Sequence, residues 1–217
     1  QVGNEINNGM SGETDVPAVM GLLSAGSRAV REIADSYGKD IRIVLHYTNI
    51  EDNEEVDTMA ANLKEYGVDY DIFGLSYYPF WDGTNENMQN VAKNIMDRYG
   101  KKVVIAETSY CYTEKDGDGF GNSFDGIEDA VDGYAPTVQS QATMIRDICA
   151  AANEVGVLGV FYWEGTWIPV GSEDQDNSAL WEKYGSGWAS SYSAEYDPDD
   201  AGLYYGGCSW DNQAMFD

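Results

Sequence analysis

Short apolar runs rich in β-branched and aromatic residues alternate with amphipathic segments along this chain. The runs that predict strands are residues 41–47, 70–81, 101–110 and 157–167. The segments with helical spacing, each ending at a glycine, are residues 17–38, 54–67, 85–100 and 137–156. Residues 1–5 are predicted to be the end of one further strand. Because apolar strands that alternate with helices are typical of parallel sheets, the pattern predicts an α/β fold with helices covering the sheet.

The connections on the two sides of the predicted strands differ in length. Those that precede strands are short, whereas those that follow strands are long, and residues 111–136 and 168–217 are the longest. Long connections of this kind are usually functional. In a (β/α)8 barrel, the carboxyl ends of the strands form the active face. We therefore expect a site at that end of the sheet. No linker divides the chain, so residues 1–217 are predicted to belong to a single domain.

The charge of the chain narrows its possible partners. There are 12 basic and 38 acidic residues, which gives a net charge of −26. Such a surface repels phosphate backbones and anionic membranes, which argues against nucleic acid and membrane partners. No apolar run approaches the roughly 18 residues that a membrane span requires. A neutral ligand or a cation fits this charge, and three cysteines do not indicate a disulfide framework.

Two glutamates, Glu5 and Glu107, each stand at the carboxyl end of a predicted strand. Two carboxylates that face each other across a pocket are the equipment of glycoside hydrolases. One protonates the leaving oxygen, and the other attacks the anomeric carbon or activates water. The alternative is that each glutamate pairs with a lysine or arginine at its strand end. With one histidine in the chain, the sequence does not support a serine or cysteine triad or a zinc cluster.

Aromatic residues cluster at the ends of the same predicted strands. They are Tyr77, Tyr78, Phe80 and Trp81 after one strand, and Tyr162, Trp163 and Trp167 at the end of another. Sugar rings stack on such side chains, and Tyr and Trp add a polar atom. Aromatic stripes are, however, more often part of a core. His46 also ends a strand, and either a structural or a binding role fits it.

Four motifs together resemble one enzyme family. They are GNEINNGM, FGLSYYPFW, VVIAETSY and FYWEGTWIP, and the tail over residues 184–217 is similar to the bacterial branch of the same family. The family is that of the arabinogalactan endo-β-1,4-galactanases, glycoside hydrolase family 53. The resemblance extends from residue 1 to residue 217. It implies a (β/α)8 TIM barrel of which this chain holds the end of strand 4 through strand 8, the C-terminal portion of the catalytic domain.

The resemblance also implies a role for each matching residue. Glu5 is expected to be the general acid/base and Glu107 the nucleophile of a two-step, retaining hydrolysis. Asn4 is expected to bind the sugar 2-hydroxyl, and Tyr77 to hydrogen-bond the nucleophile. The remaining substrate-binding residues are expected to be His46, Trp81, Trp163 and Trp167.

The loop DGDGFGN places oxygen donors at alternate positions around a glycine, a pattern by which loops wrap calcium. The donors are Asp116, Asp118, Phe120 through its carbonyl oxygen, and Asn122. The resemblance implies a structural calcium ion between the loops that follow the seventh and eighth strands, with Ser191 and Asp197 as further ligands. The alternative is a solvated acidic turn.

The function implied by the resemblance is endo-hydrolysis of β-1,4-galactosidic bonds in galactan and arabinogalactan, the side chains of pectin, by a secreted enzyme. Two alternatives stay open: a retaining hydrolase of another plant β-glycan, and a non-catalytic carbohydrate-binding fragment. The implied barrel needs its missing N-terminal half as a partner. Because the open half would expose strand edges and apolar helix faces, we expect the 217 residues alone to be poorly stable, to aggregate or to dimerise.

Overall fold

The computed structural model describes residues 1–184, 191, 195, 198 and 207–216. The helices and strands are, in chain order, α1 (Val16–Tyr37), β1 (Val44–Tyr47), α2 (Asn53–Glu65), β2 (Ile72–Ser76), α3 (Asn85–Tyr99), β3 (Lys102–Glu107), α4 (Val138–Val155) and α5 (Ser178–Tyr184). Short 3₁₀ helices lie at Ile6–Asn8, Ile127–Asp129 and Asp211–Gln213. The chain divides into a first unit, Gln1–Thr108 with Arg146–Tyr162, and a second unit, Ser109–Ile145 with Trp163–Asp217.

The four predicted helices are confirmed, each boundary within two residues. Asp15, Asp52 and Thr84 precede α1, α2 and α3, and their side-chain oxygens accept hydrogen bonds from N–H groups of the first turn. Gly38 and Gly100 follow α1 and α3 with φ of 59° and 65°, a left-handed conformation that glycine adopts without steric cost. Among the described helices, none is long and apolar enough to cross a membrane.

The strands β1, β2 and β3 form a parallel sheet in that order. An irregular segment lies on each side of it. The Val2 N–H donates to Val44 O over 2.9 Å beside β1, and the Phe161 N–H donates to Ile105 O over 2.9 Å beside β3. Five consecutive backbone segments therefore lie side by side in chain order. This is the arrangement of neighbouring strands in a (β/α)8 barrel, of which the first unit is a part.

The two outer segments are less regular than the sequence predicts. Residues 157–167 are predicted to be a strand, but the structure has one parallel bridge there, between Val160 and Ile105. Residues 1–5 form no regular strand, because Glu5 has a left-handed backbone conformation with φ of 42° and ψ of 56°. The chain then enters the 3₁₀ helix Ile6–Asn8, so Glu5 lies at a turn in the backbone.

The two faces of the sheet carry different side chains. On one face, Leu45 and Phe73 are fully buried, and the ring of Tyr47 stacks on Phe73 with centroids 4.7 Å apart. On the other face, side chains of all three strands and residues 158–161 line an apolar cavity of about 350 Å³. Inward-pointing side chains fill the centre of a (β/α)8 barrel. The cavity face is therefore the side of the sheet that belongs to the barrel interior.

The second unit has a hydrophobic cluster of its own. Trp181 of α5 and Cys208 are buried at its centre, and Trp167, Val170 and Trp210 pack against them. The helix α5 lies in a stretch for which the sequence predicted no clear secondary structure. At seven residues it is too short for a helical period to stand out from its surroundings.

Candidate active site

The two glutamates that the sequence singles out approach each other in the first unit. Glu107 is the last residue of β3 and is 6% exposed. Glu5 is half-buried and lies just before the 3₁₀ helix Ile6–Asn8. One carboxylate oxygen of each, together with a ring nitrogen of His46, lie within 4.8 Å of one another. The structure therefore brings the two predicted carboxylates into one site.

Ser76 and His46 connect the two glutamates. The Ser76 hydroxyl donates to Glu5 Oε1 over 2.6 Å, and Ser76 Oγ lies 2.9 Å from His46 Nε2. The other ring nitrogen, His46 Nδ1, lies 3.9 Å from Glu107 Oε1. Ser76 and His46 are fully buried at the carboxyl ends of β2 and β1. The sequence missed Ser76, because a serine at a strand end carries no distinctive pattern.

Burial determines the charge state of the histidine. It lowers the pKa of His46, against the opposing effect of the Glu5 charge, so the ring is neutral at neutral pH. A neutral imidazole has one N–H and one acceptor nitrogen. Because the single proton of Ser76 points to Glu5, Ser76 Oγ accepts a hydrogen bond from His46, whose proton is then on Nε2.

The contacts of His46 Nδ1 are divided between a donor and an acceptor. Gln1 Nε2 donates to Gly3 O over 2.9 Å, which fixes the orientation of the Gln1 amide. The same amide nitrogen lies 2.9 Å from His46 Nδ1, and it is a donor only. The Gln1 amide would make Nδ1 the acceptor nitrogen of the ring, whereas Asn4 Oδ1, an acceptor 3.0 Å away, would require a proton there. Asn4 Oδ1 lies 3.0 Å from Nδ1 and 3.1 Å from Gln1 Nε2, so the exposed Asn4 belongs to the same cluster.

The hydrogen bond to the proposed nucleophile comes from Tyr78, and the assignment of that role to Tyr77 is corrected. The Tyr78 hydroxyl donates to Glu107 Oε2 over 2.9 Å. The Tyr77 hydroxyl instead lies 3.0 Å from Gly83 O and 3.1 Å from Asn85 Oδ1. Successive residues of an extended chain point to opposite sides, so one of two adjacent tyrosines faces the site. Burial, together with the Glu107 charge, raises the pKa of Tyr78 far above its usual value, and its hydroxyl stays a donor.

Asp82 fixes the backbone at Tyr78. Its Oδ2 accepts a hydrogen bond from the Tyr78 N–H over 2.6 Å, and its own N–H donates to Tyr78 O over 2.7 Å. The carboxyl group is 3% exposed. Burial, reinforced by a hydrogen bond with Glu51, raises the pKa of Asp82 to about 7. No pattern in the sequence indicates a role for this residue.

Trp81 is the predicted aromatic residue that the first unit presents to solvent. It is 53% exposed, and its ring lies edge-on to Tyr78 and Phe80 with centroids 5.4 and 4.8 Å away. An indole held by aromatic neighbours is a suitable surface for stacking a sugar ring. Trp163 and Trp167 belong to the second unit and are half-buried. Since Trp167 packs against the Trp181 cluster, it has a structural contact, and sugar binding by both residues stays a prediction.

The separation of the carboxylates bears on the chemistry that they can perform. Retaining glycosidases hold their carboxyl groups about 5–5.5 Å apart, whereas inverting enzymes need about 6.5–9.5 Å to admit a water molecule. A contact within 4.8 Å between the nearest oxygens of Glu5 and Glu107 places both carboxyl groups in one site, and retention stays what the family resemblance implies. The two groups also differ in surroundings, since Ser76 donates to one and Tyr78 to the other.

A second acidic cluster lies in the second unit. Carboxylate oxygens of Asp116, Asp118 and Asp211 lie within 4.8 Å of one another. The Gly117 N–H donates to Asp211 Oδ2, and the Cys208 N–H donates to Asp118 Oδ2, each over 2.9 Å. These hydrogen bonds join the predicted calcium loop to the segment around the 3₁₀ helix Asp211–Gln213.

The donor set of this cluster fits a calcium ion. Calcium takes oxygen ligands, and three carboxylates supply them here. The side-chain oxygen of Asn122, which the sequence predicts to be a ligand, is buried without a hydrogen-bond partner among the described residues. Burial, reinforced by the charges of Asp118 and Asp116, raises the pKa of Asp211 to about 6. Carboxylates held together in this way gain stability from a cation.

Asp211 is the residue of this cluster that the sequence missed. Ser191 and Asp197 were predicted as the ligands from the tail. Asp197 lies outside the described residues, and the Ser191 N–H donates to Glu182 Oε2 over 2.7 Å. The structure thus brings Asp211 to Asp116 and Asp118, and Ser191 as a ligand stays a prediction. A ligand so distant along the chain has no local spacing pattern by which it could be recognised.

Parallel strands that alternate with helices, with two carboxylates within 4.8 Å at the carboxyl end of the sheet, are the arrangement found in glycoside hydrolases built on a (β/α)8 barrel. The model of one family, glycosyl hydrolase family 53, matches residues 1–217. The chain belongs to this family, as the resemblance of its motifs implied.

Individual relatives agree with the family. The chain is 51% identical over 221 residues to an endo-β-1,4-galactanase of Bacillus subtilis, covering 100% of this chain and 50% of that protein. It is 34% identical over 170 residues to an arabinogalactan endo-β-1,4-galactanase of Cellvibrio japonicus, covering 77% of this chain and 42% of that protein. The solved family 53 catalytic domain of Ignisphaera aggregans is 31% identical to this chain, with a TM-score of 0.78. The match covers 100% of this chain and 54% of the Ignisphaera chain. The chain thus spans about half the length of the curated relatives that it matches, which confirms the prediction of a partial barrel.

Proposed function

We propose that this chain is the catalytic portion of an endo-acting, retaining hydrolase of β-1,4-galactosidic bonds, with Glu5 as the general acid/base and Glu107 as the nucleophile. The observation that carries the proposal is the approach of the two carboxylates within 4.8 Å. The substrate follows from the relatives, which are named endo-β-1,4-galactanase and arabinogalactan endo-β-1,4-galactanase. Galactan and arabinogalactan, the side chains of pectin, are therefore the proposed polysaccharide partners.

The reaction proceeds in two steps. In the first step, Glu107 attacks the anomeric carbon, and Glu5 gives its proton to the glycosidic oxygen as the bond to the leaving sugar breaks. In the second step, Glu5 takes a proton from a water molecule, whose oxygen displaces Glu107 from the anomeric carbon. Two inversions restore the original β configuration. Tyr78 orients Glu107 for the attack through its hydrogen bond to Oε2.

The test is the substitution Glu107→Gln in the full-length enzyme, meaning a polypeptide that joins this chain to the strands that complete its barrel. The amide cannot form the covalent intermediate, so we expect kcat on galactan to fall at least about 1,000-fold. Galactan binding persists, because the amide has nearly the same shape. The matched control is Glu65→Gln, which removes the same charge from an exposed position of α2. Unchanged turnover in Glu107→Gln would contradict the nucleophile assignment.

Two alternatives are separated by substrates and by binding. Release of reducing sugar from galactan is compared with release from xylan, mannan and cellulose. A preference for one of the other polymers indicates a retaining hydrolase of another plant β-glycan. Galactan binding by the full-length wild-type enzyme without turnover indicates a carbohydrate-binding protein. The intact pair of Glu5 and Glu107 favours turnover.

Three further features complete the proposal. A structural calcium ion is held by Asp116, Asp118, Asn122 and Asp211, with the Phe120 carbonyl as a further ligand; the cluster of oxygen atoms supports this assignment. The missing part of the barrel interior is filled by an N-terminal half that carries the first strands. The enzyme acts outside the cell, where its polymeric substrate lies.

A further inference from the structure

Ser76 and His46 are two fully buried polar residues. Ser76 contacts Glu5, the proposed acid/base, and His46 contacts Ser76. The steps described above need Glu5 to offer its proton from one particular oxygen, the one that faces the glycosidic bond. A carboxyl group has two oxygens, and either can carry the proton. Ser76 contacts one of them, Oε1, over 2.6 Å, a distance typical of a hydroxyl that donates to a carboxylate.

We propose that Ser76, held as a donor by the Nε2–H of His46, is a positioning residue that keeps the transferable proton of Glu5 on Oε2. This inference rests on the proposed function. It assigns Ser76 and His46 to the acid/base half of the reaction, and Tyr78 to the nucleophile half.

The protons around Ser76 Oγ determine which oxygen of Glu5 can carry a proton. A serine hydroxyl has one proton to donate. His46 Nε2–H occupies the acceptor side of Oγ at 2.9 Å, and Glu5 Oε1 is the acceptor within hydrogen-bond distance among the described residues. The Ser76 proton therefore points to Oε1 whether Glu5 is ionised or protonated. A proton on Oε1 would face the Ser76 proton, so protonation takes place on Oε2.

The hydrogen bond from Ser76 to Glu5 depends on which ring nitrogen of His46 carries the proton. If the ring proton were on Nδ1, Nε2 would accept from Ser76, and Glu5 would have to donate from Oε1, where its proton is turned away from the substrate. The Gln1 amide, a donor 2.9 Å from Nδ1, disfavours that tautomer, and Asn4 Oδ1, an acceptor 3.0 Å from Nδ1, favours it. The contact of Ser76 with Glu5 over 2.6 Å decides between them, because an ionised carboxylate only accepts and so requires Ser76 to donate. Burial disfavours the doubly protonated ring, because it lowers the pKa of His46. One protonation state of the ring thus keeps Ser76 directed at Glu5.

The test compares two substrates that differ in their need for an acid. Galactan has a sugar alcohol as leaving group and needs protonation, whereas a 2,4-dinitrophenyl β-galactobioside releases a stable phenolate and does not. In the full-length enzyme, we expect Ser76→Ala to lower kcat/KM on galactan by about 100-fold, the usual contribution of a positioned general acid. On the dinitrophenyl substrate, kcat/KM changes less than about threefold, because its first step needs no proton.

Four further variants make the result specific. Ser76→Thr keeps the hydroxyl and restores activity on galactan. His46→Gln keeps an N–H near the position of Nε2 and retains more activity on galactan than His46→Leu. Ser27→Ala is the matched control, since Ser27 is fully buried in α1 and its hydroxyl lacks a partner among the described residues. It leaves the ratio of the two substrates unchanged.

Two outcomes would overturn the inference. If Ser76→Ala lowers kcat/KM equally on both substrates, the residue has only a structural role. If it lowers neither, Ser76 does not position Glu5. Failure of the proposed function is recognised separately, because then the wild-type enzyme does not hydrolyse galactan or Glu107→Gln retains turnover.

Discussion

Tyr78 fixes the orientation of Glu107, the proposed nucleophile. Its hydroxyl holds Oε2 of Glu107 at 2.9 Å, while Oε1 lies 3.9 Å from His46 Nδ1. The phenol is 4% exposed, and its raised pKa keeps it protonated over the whole working range of an enzyme. Hydrogen bonds to charged groups contribute about 1.5–3 kcal/mol. The orientation of Glu107 therefore depends measurably on this single hydroxyl.

The substitution Tyr78→Phe is expected to lower kcat on galactan about 10- to 100-fold, the kinetic equivalent of one hydrogen bond to a charged group. The adjacent substitution Tyr77→Phe removes a hydroxyl that lies near Gly83 O and Asn85 Oδ1, and we expect a smaller effect on kcat. Steady-state kinetics of both full-length variants provide the comparison. A larger loss in Tyr77→Phe would restore the assignment that the family resemblance suggested.

Sequence could place two tyrosines at the end of β2 but could not tell which of them faces Glu107. The side of an extended residue follows from strand alternation only while the pairing is regular. The pairing of β2 with β3 shifts between Leu75 and Ser76, directly before the two tyrosines. Ser76 was missed for a different reason: its role depends on its contacts with Glu5 and His46, and no motif encodes them.

At the scale of elements, the turn between β2 and α3 is tied to the loop between β1 and α2. Asn87 Nδ2 donates to Asp82 O in the first and to Ile50 O in the second. The buried carboxyl group of Asp82 adds its hydrogen bonds to Tyr78 and Glu51. Ionisation of Asp82 in this place is unfavourable, so the stability of both loops depends on pH.

The sign of that dependence follows from the pKa of Asp82, which folding raises from its ordinary value near 4 to about 7. Between these values the folded protein binds a proton that the unfolded chain has lost, so the free energy of unfolding falls as pH rises through this window. In the full-length enzyme, we expect Asp82→Asn to flatten the fall in melting temperature between pH 4 and pH 8. The exposed Asp97 supplies the control, Asp97→Asn. Parallel curves for wild type and Asp82→Asn would contradict the expectation.

In the second unit, hydrogen bonds join the acidic loop around Asp116 to the segment around the C-terminal 3₁₀ helix. The effect of calcium on this pair of segments can be measured as a change in melting temperature. If calcium joins them, chelation lowers the melting temperature of the full-length enzyme and added calcium restores it. A ligand at 100 times its Kd stabilises by about 2.7 kcal/mol. Asp211→Asn removes the response, whereas Asp132→Asn, an exposed position that loses the same charge, keeps it. A wild-type protein that ignores both chelator and calcium would leave the cluster as a hydrogen-bonded turn.

Elements differ in how well the sequence predicts them. The helices have strong local signals, such as Asp15 before α1 and Gly38 after it, and their boundaries were predicted closely. The outer strand segments have apolar sequences but few backbone partners in this chain, so residues 157–167 form a single bridge at Val160. Strand length depends on neighbours that a local pattern does not contain.

At the scale of the whole molecule, the interior face of the sheet exposes apolar side chains among the described residues. Phe161 and Leu158, which line the apolar cavity, are 64% and 53% exposed. In a closed barrel this space is filled by side chains from the opposite strands. The predicted need for an N-terminal half thus has a physical basis in the apolar surface that it would cover.

We expect the 217 residues expressed by themselves to aggregate or to dimerise, and to unfold without a cooperative transition. Apolar side chains of the open face and unpaired strand edges drive such association. Size-exclusion chromatography and calorimetry at several protein concentrations measure it. The reference sample is the full-length enzyme, which we expect to be monomeric under the same conditions. A monomeric, cooperatively unfolding preparation of the 217 residues would show that the expectation is wrong.

The family and the barrel were predicted from motifs that span the chain, and the global arrangement is the part that the sequence supports best. Contacts between distant segments are the part that it supports least. Asp211 approaches Asp116 across more than ninety positions, and only the folded chain brings them together.

The position of the reacting groups in the first unit has a consequence for engineering. Glu5, His46, Ser76, Tyr78 and Glu107 all lie between residues 1 and 108. Recombination of barrel halves among members of the family would therefore exchange the other half of the barrel without separating the proposed acid/base from the proposed nucleophile. The half that contains this chain would retain the proposed catalytic residues. The exchanged half could be selected for binding polymers with other branches or lengths.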